Sequence, residues 1–356
     1  MRTAFDNLSQ WGLRTFSGSP FLIAGPCSAE SREQVLATAQ ALEHLPVSLF
    51  RAGVWKSHAL AETFDGVGNI ALEWLQEAKA LTGLPLAIEI NSRKHLEEIL
   101  QAGIDVLWLG ARTTVNPFAV EELALALRGV DIPIFVKNPI TPDLGVWVGA
   151  IERLRNNGIE KIGVILRGFV NRRPSKWRYE PEWELLQKFR QIFPELPYIC
   201  DPSHIAGDAN MVFSVCQEAM NRNFHGLMIE THYDPSKALS DVAQQLNPQQ
   251  LEELLGNLIL SNPVFQVKDE HNRLRQLKQK IDQLDMRLVE ILAGREALAR
   301  QIVQIRKKQT GKPGEADDRA QLHAKVIEYA KQYQISETYL LELFEIITSG
   351  TKATGH

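Results

Sequence analysis

Residues 21–31 read FLIAGPCSAES: four apolar residues, a Gly-Pro break, then Cys27 and Ser28 ahead of a charged, helix-like stretch. A thiol at the end of a buried strand can pack, react or bind an ion. Other short apolar runs also end in reactive groups: Arg51 followed by Lys56, Glu89, Arg112, Lys137, Arg167, Asp201 with His204, and Glu230 with His232. If Arg51, Lys56, Arg112, Lys137 and Arg167 face one mouth, they repel one another unless an anion sits among them. Cys27, His204 and Glu230, joined by Asp241 in the helix-start sequence KALSDVA, offer sulfur, nitrogen and oxygen donors. That set suits a divalent transition metal with an open coordination position. Plainer readings stay open on spacing alone: charged residues mark many strand ends, a lone cysteine packs as a small hydrophobe, and His204 serves as a helix cap or core residue.

The elements that would position these groups follow from periodicity. The apolar, β-branched runs FLIAGPC, VSLFRAG, PLAIEI, DVLWLGA, IPIFVKN, KIGVILRG, PYICDP and GLMIETH number eight. Between them lie segments of helical period such as SREQVLATAQALEHL and NPFAVEELALALRG, many ending at Gly. Eight near-continuously apolar strands alternating with helices predict a (β/α)8 TIM barrel, whose strands are buried on both faces. In that fold the side chains beyond the strand C-termini converge on one mouth.

Composition bounds what the mouth can serve. At 356 residues the chain exceeds one core, so a large domain plus a smaller one is expected. A formal charge of −4, spread without blocks, argues against nucleic acid or an acidic membrane surface as partner. No window reaches the ~18 apolar residues of a membrane span, and the first residues lack an apolar signal core, so a cytoplasmic chain is expected. Cys27, Cys200 and Cys216 lie far apart with no CxxC pair, against a disulfide framework or zinc finger.

The phrases AGPCSAE, RAGVWK, GARTT, FVKNP, LRG, CDPSH and the IE...SD pair together resemble, in this order, the motifs of type I beta 3-deoxy-D-arabino-heptulosonate 7-phosphate (DAHP) synthases, over about residues 20–260. The resemblance implies condensation of phosphoenolpyruvate with erythrose 4-phosphate and release of phosphate, the first step of the shikimate pathway. It also implies a divalent ion, Mn2+ foremost with Fe2+, Co2+ or Zn2+ as alternatives, held by Cys27, His204, Glu230 and Asp241. Arg51, Lys56, Arg112, Lys137 and Arg167 match the phosphoenolpyruvate cations, and the Gly110 and Ala111 backbone a further phosphate contact. Lys56, Cys27 and His204 are the implied catalytic residues, Lys56 as donor of a proton or hydrogen bond. The match fails at KSHALAE: in the family the lysine opens a KPRT-type motif whose Arg and Thr hold the aldehyde's phosphate, whereas here Ser57, His58, Ala59 and Leu60 follow. His58, Ser57 or the basic stretch NRRPSKWR (residues 171–178) stand as substitutes.

Beyond a linker at 263–269 the pattern changes. From Glu270 to about Gln309 one apolar period runs through Leu274, Leu277, Ile281, Leu284, Leu288, Ile291, Leu298, Ile302 and Ile305. This predicts a helix of roughly forty residues, about 60 Å long, which the short segments after it cannot cover unless two chains combine. The expected partition is an N-terminal extension at 1–20, the barrel at 21–262 and an all-α dimerising domain at 270–356. Arg295 falls on the apolar stripe, where a cation needs an anion. LKQKIDQLDMRLVEILAGREALARQIVQIRKK resembles the first helix of the all-helical chorismate mutases, the similarity extending over about residues 272–350. By position Arg295 and Arg319 match that family's arginines, Lys278 stands where an Arg is usual, and Arg306 where a Lys is usual. Ala316 and Ala320 replace common polar contacts, and the end, SGTKATGH, lacks a polar closing helix turn. The expected partners are phosphoenolpyruvate, erythrose 4-phosphate or another aldehyde, chorismate or prephenate at the helical domain, and a second copy of the chain as homodimer or higher homo-oligomer. A non-catalytic regulatory paralogue is the remaining alternative.

Overall fold

The computed structural model describes residues 8–55, 64, 66–170, 175–260, 270–310, 316–333 and 335–353. Lys56, the KSHALAE residues Ser57 to Leu60, residues 171–174 of the basic stretch and the linker 263–269 lie outside the described residues, as do the side chains of Arg306 and Arg319. Two compact units form, residues 1–268 and 269–356.

The first unit is the (β/α)8 barrel. Strands β1 (Phe21–Gly25), β2 (Leu49–Arg51), β3 (Leu86–Ile90), β4 (Val106–Leu109), β5 (Ile134–Lys137), β6 (Ile162–Leu166), β7 (Tyr198–Cys200) and β8 (Gly226–Glu230) pair in sequence order. The sheet closes with β8 parallel to β1, in register from Phe21 with Gly226 to Gly25 with Glu230. Alternation within each strand divides the core. Phe21, Ile23, Trp108, Phe135 and Ile165 belong to one cluster, while Leu22, Ala24, Leu107, Val136 and Leu166 belong to a larger one with the surrounding helices. Leu8 and Leu13 from the N-terminal extension join the first cluster, and the Trp11 ring meets Phe135 edge-on at 6.3 Å. Helix starts obey capping chemistry: Ser31, Asn116, Asp143 and Asp208 each accept a backbone N–H of the first turn. Cys27, Cys200 and Cys216 form no disulfide.

The second unit contains helices Glu270–Thr310, Ala316–Tyr333 and Glu337–Ala353. The long helix matches the predicted span. Ile281, Leu288, Ile291, Leu298, Ile302 and Ile305 on its apolar stripe are all about half exposed or more in the single chain. The described buried cluster of this unit is small: Val326, Ala330 and Leu340, with Leu322, Leu341, Leu343 and Phe344 packed beside it.

His225, just before β8, carries an acid sensitivity. Its Nδ1 accepts the Tyr198 N–H at 3.0 Å, and burial followed by the nearby Arg190 charge pushes its pKa down to about 4 from 6.5. The folded ring therefore stays neutral where the unfolded one protonates. Stability from this group is complete above pH 6.5, falls as pH drops below that value, and levels off below about 4. Wild type should lose about 2 kcal/mol more than H225Q between pH ~7 and ~5, read from urea unfolding of the full chain at both pH values. Equal losses in the two proteins would refute this role.

Candidate active site

At the top of β1 the chain must turn sharply to bring Cys27 inward. Gly25 has φ +146, and a Cβ there would lie 2.1 Å from the Arg51 carbonyl oxygen, so only glycine permits the approach of β1 to β2. Cys27 is buried, its N–H donating to Gln245 Oε1 at 3.1 Å and its carbonyl accepting from Arg51 Nη2 at 3.3 Å. The thiol donates to Asp241 Oδ2 at 3.1 Å. One donor atom each from Cys27, Glu230 and Asp241 lies within 4.8 Å of the others. His204 stands at the edge of this trio, with Nε2 3.8 Å from Glu230 Oε1.

Asp201 organises the imidazole from behind. It caps the short helix Pro202–Ala206, accepting the His204 N–H at 3.1 Å, and lies 3.0 Å from His204 Nδ1. Burial drives the His204 pKa down despite the opposing charges of Asp201 and Glu230. The ring is thus neutral near pH 7, with a lone pair on Nε2 when Nδ1–H is given to Asp201, the arrangement common to metal-bound histidines. Burial alone would raise the Asp201 pKa, but His204 and Lys137 hold it well below the usual carboxylate range. Asp241 is likewise held low against burial, by His204 and Arg178. The sequence places Asp241 at a helix start. Instead it has φ +49 and precedes a single 3₁₀ turn, Val242–Gln244, without capping it; its side chain goes to the thiol and to Arg178.

The cations line the same pocket: Arg51, Arg112, Lys137 and Arg167 share its wall with Cys27, His204, Glu230 and Asp241. The expectation that they need an outside anion meets partners already inside. Arg51 lies 3.3 Å from Glu230 Oε1 and Lys137 3.0 Å from Asp201 Oδ2. Burial works against the Arg51 charge, yet Glu230, Cys27, Asp201 and Glu89 raise its pKa overall. Its Nε and Nη1 are nonetheless buried without a hydrogen-bond partner, which leaves donors for an anion. Lys56 lies outside the described residues, so its place relative to this pocket is not described.

Pocket residues that the sequence did not assign to the site include Trp55, Tyr179 and Arg178. Trp55 stacks on His95 at 4.1 Å, Tyr179 lies 3.5 Å under the Arg167 guanidinium, and Arg178 bonds Asp241 Oδ1 at 2.8 Å. Burial would raise the Tyr179 pKa, but Arg167, then Arg178 and Arg112, bring it down. Only the basic character of residues 171–178 hinted at Arg178. In the helical unit Lys278 is exposed and Arg295 half-buried, with Arg295 Nη1 shielded and unpartnered.

Fold and mouth together define a (β/α)8 barrel enzyme. The DAHP synthetase I family model matches residues 13–260, and the chain belongs to that family. Residues 277–355 match chorismate mutase type II. The chain is 29% identical over 237 residues to the phospho-2-dehydro-3-deoxyheptonate aldolase of Thermotoga maritima, covering 67% of this chain and 68% of that protein. A crystal structure of DAHP synthase from that organism aligns with TM-score 0.61 and 28% identity, covering 67% of this chain and 68% of that one. The 2-dehydro-3-deoxyphosphooctonate aldolase of Albidiferax ferrireducens is 27% identical over 267 residues, 68% of this chain and 90% of that protein. The chain is thus a DAHP synthase-like aldolase of the aromatic biosynthetic class with a chorismate mutase segment, in a family that generally uses a divalent metal. Among the described residues no helix is long and apolar enough to cross a membrane.

Gly110 tests how tightly this wall is built. A Cβ there would lie 2.2 Å from Glu89 Oε1, while Glu89 Oε2 accepts the Trp108 indole N–H at 2.9 Å. G110A should destabilise the barrel by roughly 1–3 kcal/mol, and G110A/E89A should recover at least half of that in denaturant unfolding. Unchanged stability in G110A would show that Glu89 simply swings aside.

Proposed function

We propose that the barrel condenses phosphoenolpyruvate with erythrose 4-phosphate, forming one carbon–carbon bond, consuming a water and releasing phosphate, with a divalent ion held by Cys27, His204, Glu230 and Asp241. The observation that carries this reading is the approach of Cys27, Glu230 and Asp241 donors within 4.8 Å, in the same pocket as Arg51, Lys137 and Arg167. The donor chemistry fits: a buried thiol, an imidazole and two carboxylates, of which Asp241 is held low, suit a borderline ion such as Mn2+, Fe2+, Co2+ or Zn2+. When bound, the ion supplies Lewis acidity toward the aldehyde carbonyl or an activated water. Arg51, Arg112, Lys137 and Arg167 grip the carboxylate and phosphate of phosphoenolpyruvate and stabilise the phosphate as it leaves, aided by the Gly110 and Ala111 backbone. Lys56 gives a proton to the carbonyl oxygen that becomes a hydroxyl.

A second reading, condensation with a different aldehyde sugar phosphate, is favoured by KSHALAE and by kinship to the phosphooctonate aldolase. For the helical unit we infer binding of chorismate or prephenate by Lys278, Arg295, Arg306 and Arg319 in a homodimer. Lys278 and Arg295 are 17 positions apart on one helix, about 26 Å along its axis. Both reach one small dianion only if two chains contribute, so sedimentation should give a dimer or larger assembly.

Phosphate release from phosphoenolpyruvate with added Mn2+ decides among the barrel readings. Release with erythrose 4-phosphate, abolished by chelation and reduced roughly a hundredfold or more in C27A, is the expected result. Release only with another sugar phosphate selects the second reading, and rescue by S57P/H58R/A59T locates the defect in the phosphate grip. No release with any aldehyde, before or after that change, would overturn both.

A further inference from the structure

Arg51 lies 3.3 Å from Glu230 Oε1, and two further side chains outside the proposed ligand set, Gln244 and Arg178, touch the other oxygens of its carboxylates. Gln244 is almost completely buried in the 3₁₀ turn after Asp241. Its Nε2 donates to Glu230 Oε2 at 2.7 Å, and its Oε1 accepts from Arg178 Nη1 at 2.5 Å. The same Arg178 Nη1 donates to Asp241 Oδ1 at 2.8 Å. One oxygen of each carboxylate is thereby engaged from outside. The other oxygens face inward: Asp241 Oδ2 meets the Cys27 thiol at 3.1 Å, and Glu230 Oε1 lies 3.8 Å from His204 Nε2.

We propose that Gln244 and Arg178 form an outer brace that sets the rotation of Glu230 and Asp241 so that one oxygen of each points at the ion, making both of them positioning residues. The inference rests on the reading of Cys27, Glu230 and Asp241 as ion ligands. The Gln244 amide donates to the carboxylate and accepts from the arginine at once. Glutamate would set another carboxylate against Glu230, and leucine would leave a buried carboxylate oxygen and a guanidinium short of a partner. The brace answers a local difficulty. Asp241 at φ +49 occupies the left-handed region, which aspartate visits more readily than most residues but still against the ordinary preference, and contacts beyond its own turn help hold it there. Arg178 imposes it from the loop after β6, next to Tyr179 under Arg167. Order in that loop and the aim of Asp241 are therefore linked.

The test uses the full chain and ion binding rather than turnover. Wild type titrated with Co2+ should show one ion per chain and a thiolate-to-cobalt absorption band that C27A lacks; absence of that band would overturn the ion-site reading and the brace with it. With the band present, Q244L and Q244E should each raise the Mn2+ dissociation constant roughly 10–100-fold, measured by electron paramagnetic resonance of free Mn2+, while keeping the band. R178A should weaken Mn2+ as well, and Q244L/R178A should lose less than the product of the single effects, since both act through one network. Q244E keeps the side chain's size and its bond to Arg178, so it remains informative should Q244L fail to fold. Wild-type Mn2+ affinity in the glutamine variants, whatever their melting temperature, would reduce Gln244 to a structural bracket and sink the proposal. So would an R178A protein that binds Mn2+ normally but loses phosphoenolpyruvate, since Arg178 would then act on substrate.

Discussion

Asp201 and Glu230 are carboxylates with no exposure to solvent, and the rest of the mouth is arranged around keeping them there. An isolated buried carboxylate either takes up a proton or is forced out toward water. Here Lys137 and His204 meet Asp201, while Arg51 and Gln244 meet Glu230. Arg51 and Lys137 therefore have two employments: they pair with the protein's own buried acids, and Arg51 keeps unused donors, Nε and Nη1, for an anion. An incoming dianion need not displace the internal acids; it has only to fill the remaining donor positions. This explains how a net-acidic chain keeps a cationic mouth without mutual repulsion opening it.

The barrel was legible because parallel strands covered on both faces leave unbroken apolar runs. The chemistry-bearing strand ends were legible for the same reason, as each apolar run stops at a charged or sulfur residue. What could not be read was pairing across the mouth. Nothing in CDPSH says that Asp201 would meet Lys137, 64 residues earlier, and nothing in SDVAQQ says that Gln244 would reach Glu230. Such contacts depend on which loops face one another above the sheet. Asp241 misled for a related reason. An aspartate ahead of short apolar residues looks like an N-cap, but its side chain has partners in Cys27 and Arg178 that outcompete the turn.

The two units stand on different energetic footings. The barrel has a continuous apolar core that includes Trp147, Phe169, Phe189 and Tyr198. In the helical unit the apolar stripe of the long helix lies open in the single chain, and the described core comprises few residues. A helix of this length with an uncovered stripe gains most of its stability from what packs on that stripe rather than from intrinsic propensity. Its period was therefore readable in sequence, while the identity of its covering surface was not.

The departure at KSHALAE bears on rate as much as on substrate choice. Binding energy from a remote, non-reacting phosphate offsets the cost of orienting an aldehyde against the other reactant, so a weakened grip lowers turnover and not merely affinity. Arg51 and Lys137 need no such help, because buried acids at the strand ends hold them. The chain thus combines a rigid half-site, whose geometry follows from the barrel and its internal ion pairs, with a second half whose grip must come from residues other than the usual arginine and threonine. Arg178 is an unsuitable replacement so long as it is committed to Asp241 and Gln244. A substrate phosphate that recruited it would loosen Asp241, one of the proposed ion ligands. Any aldehyde that this enzyme accepts efficiently should therefore find its anchor elsewhere around the mouth, or carry polar groups that reach the ion and Arg112 directly.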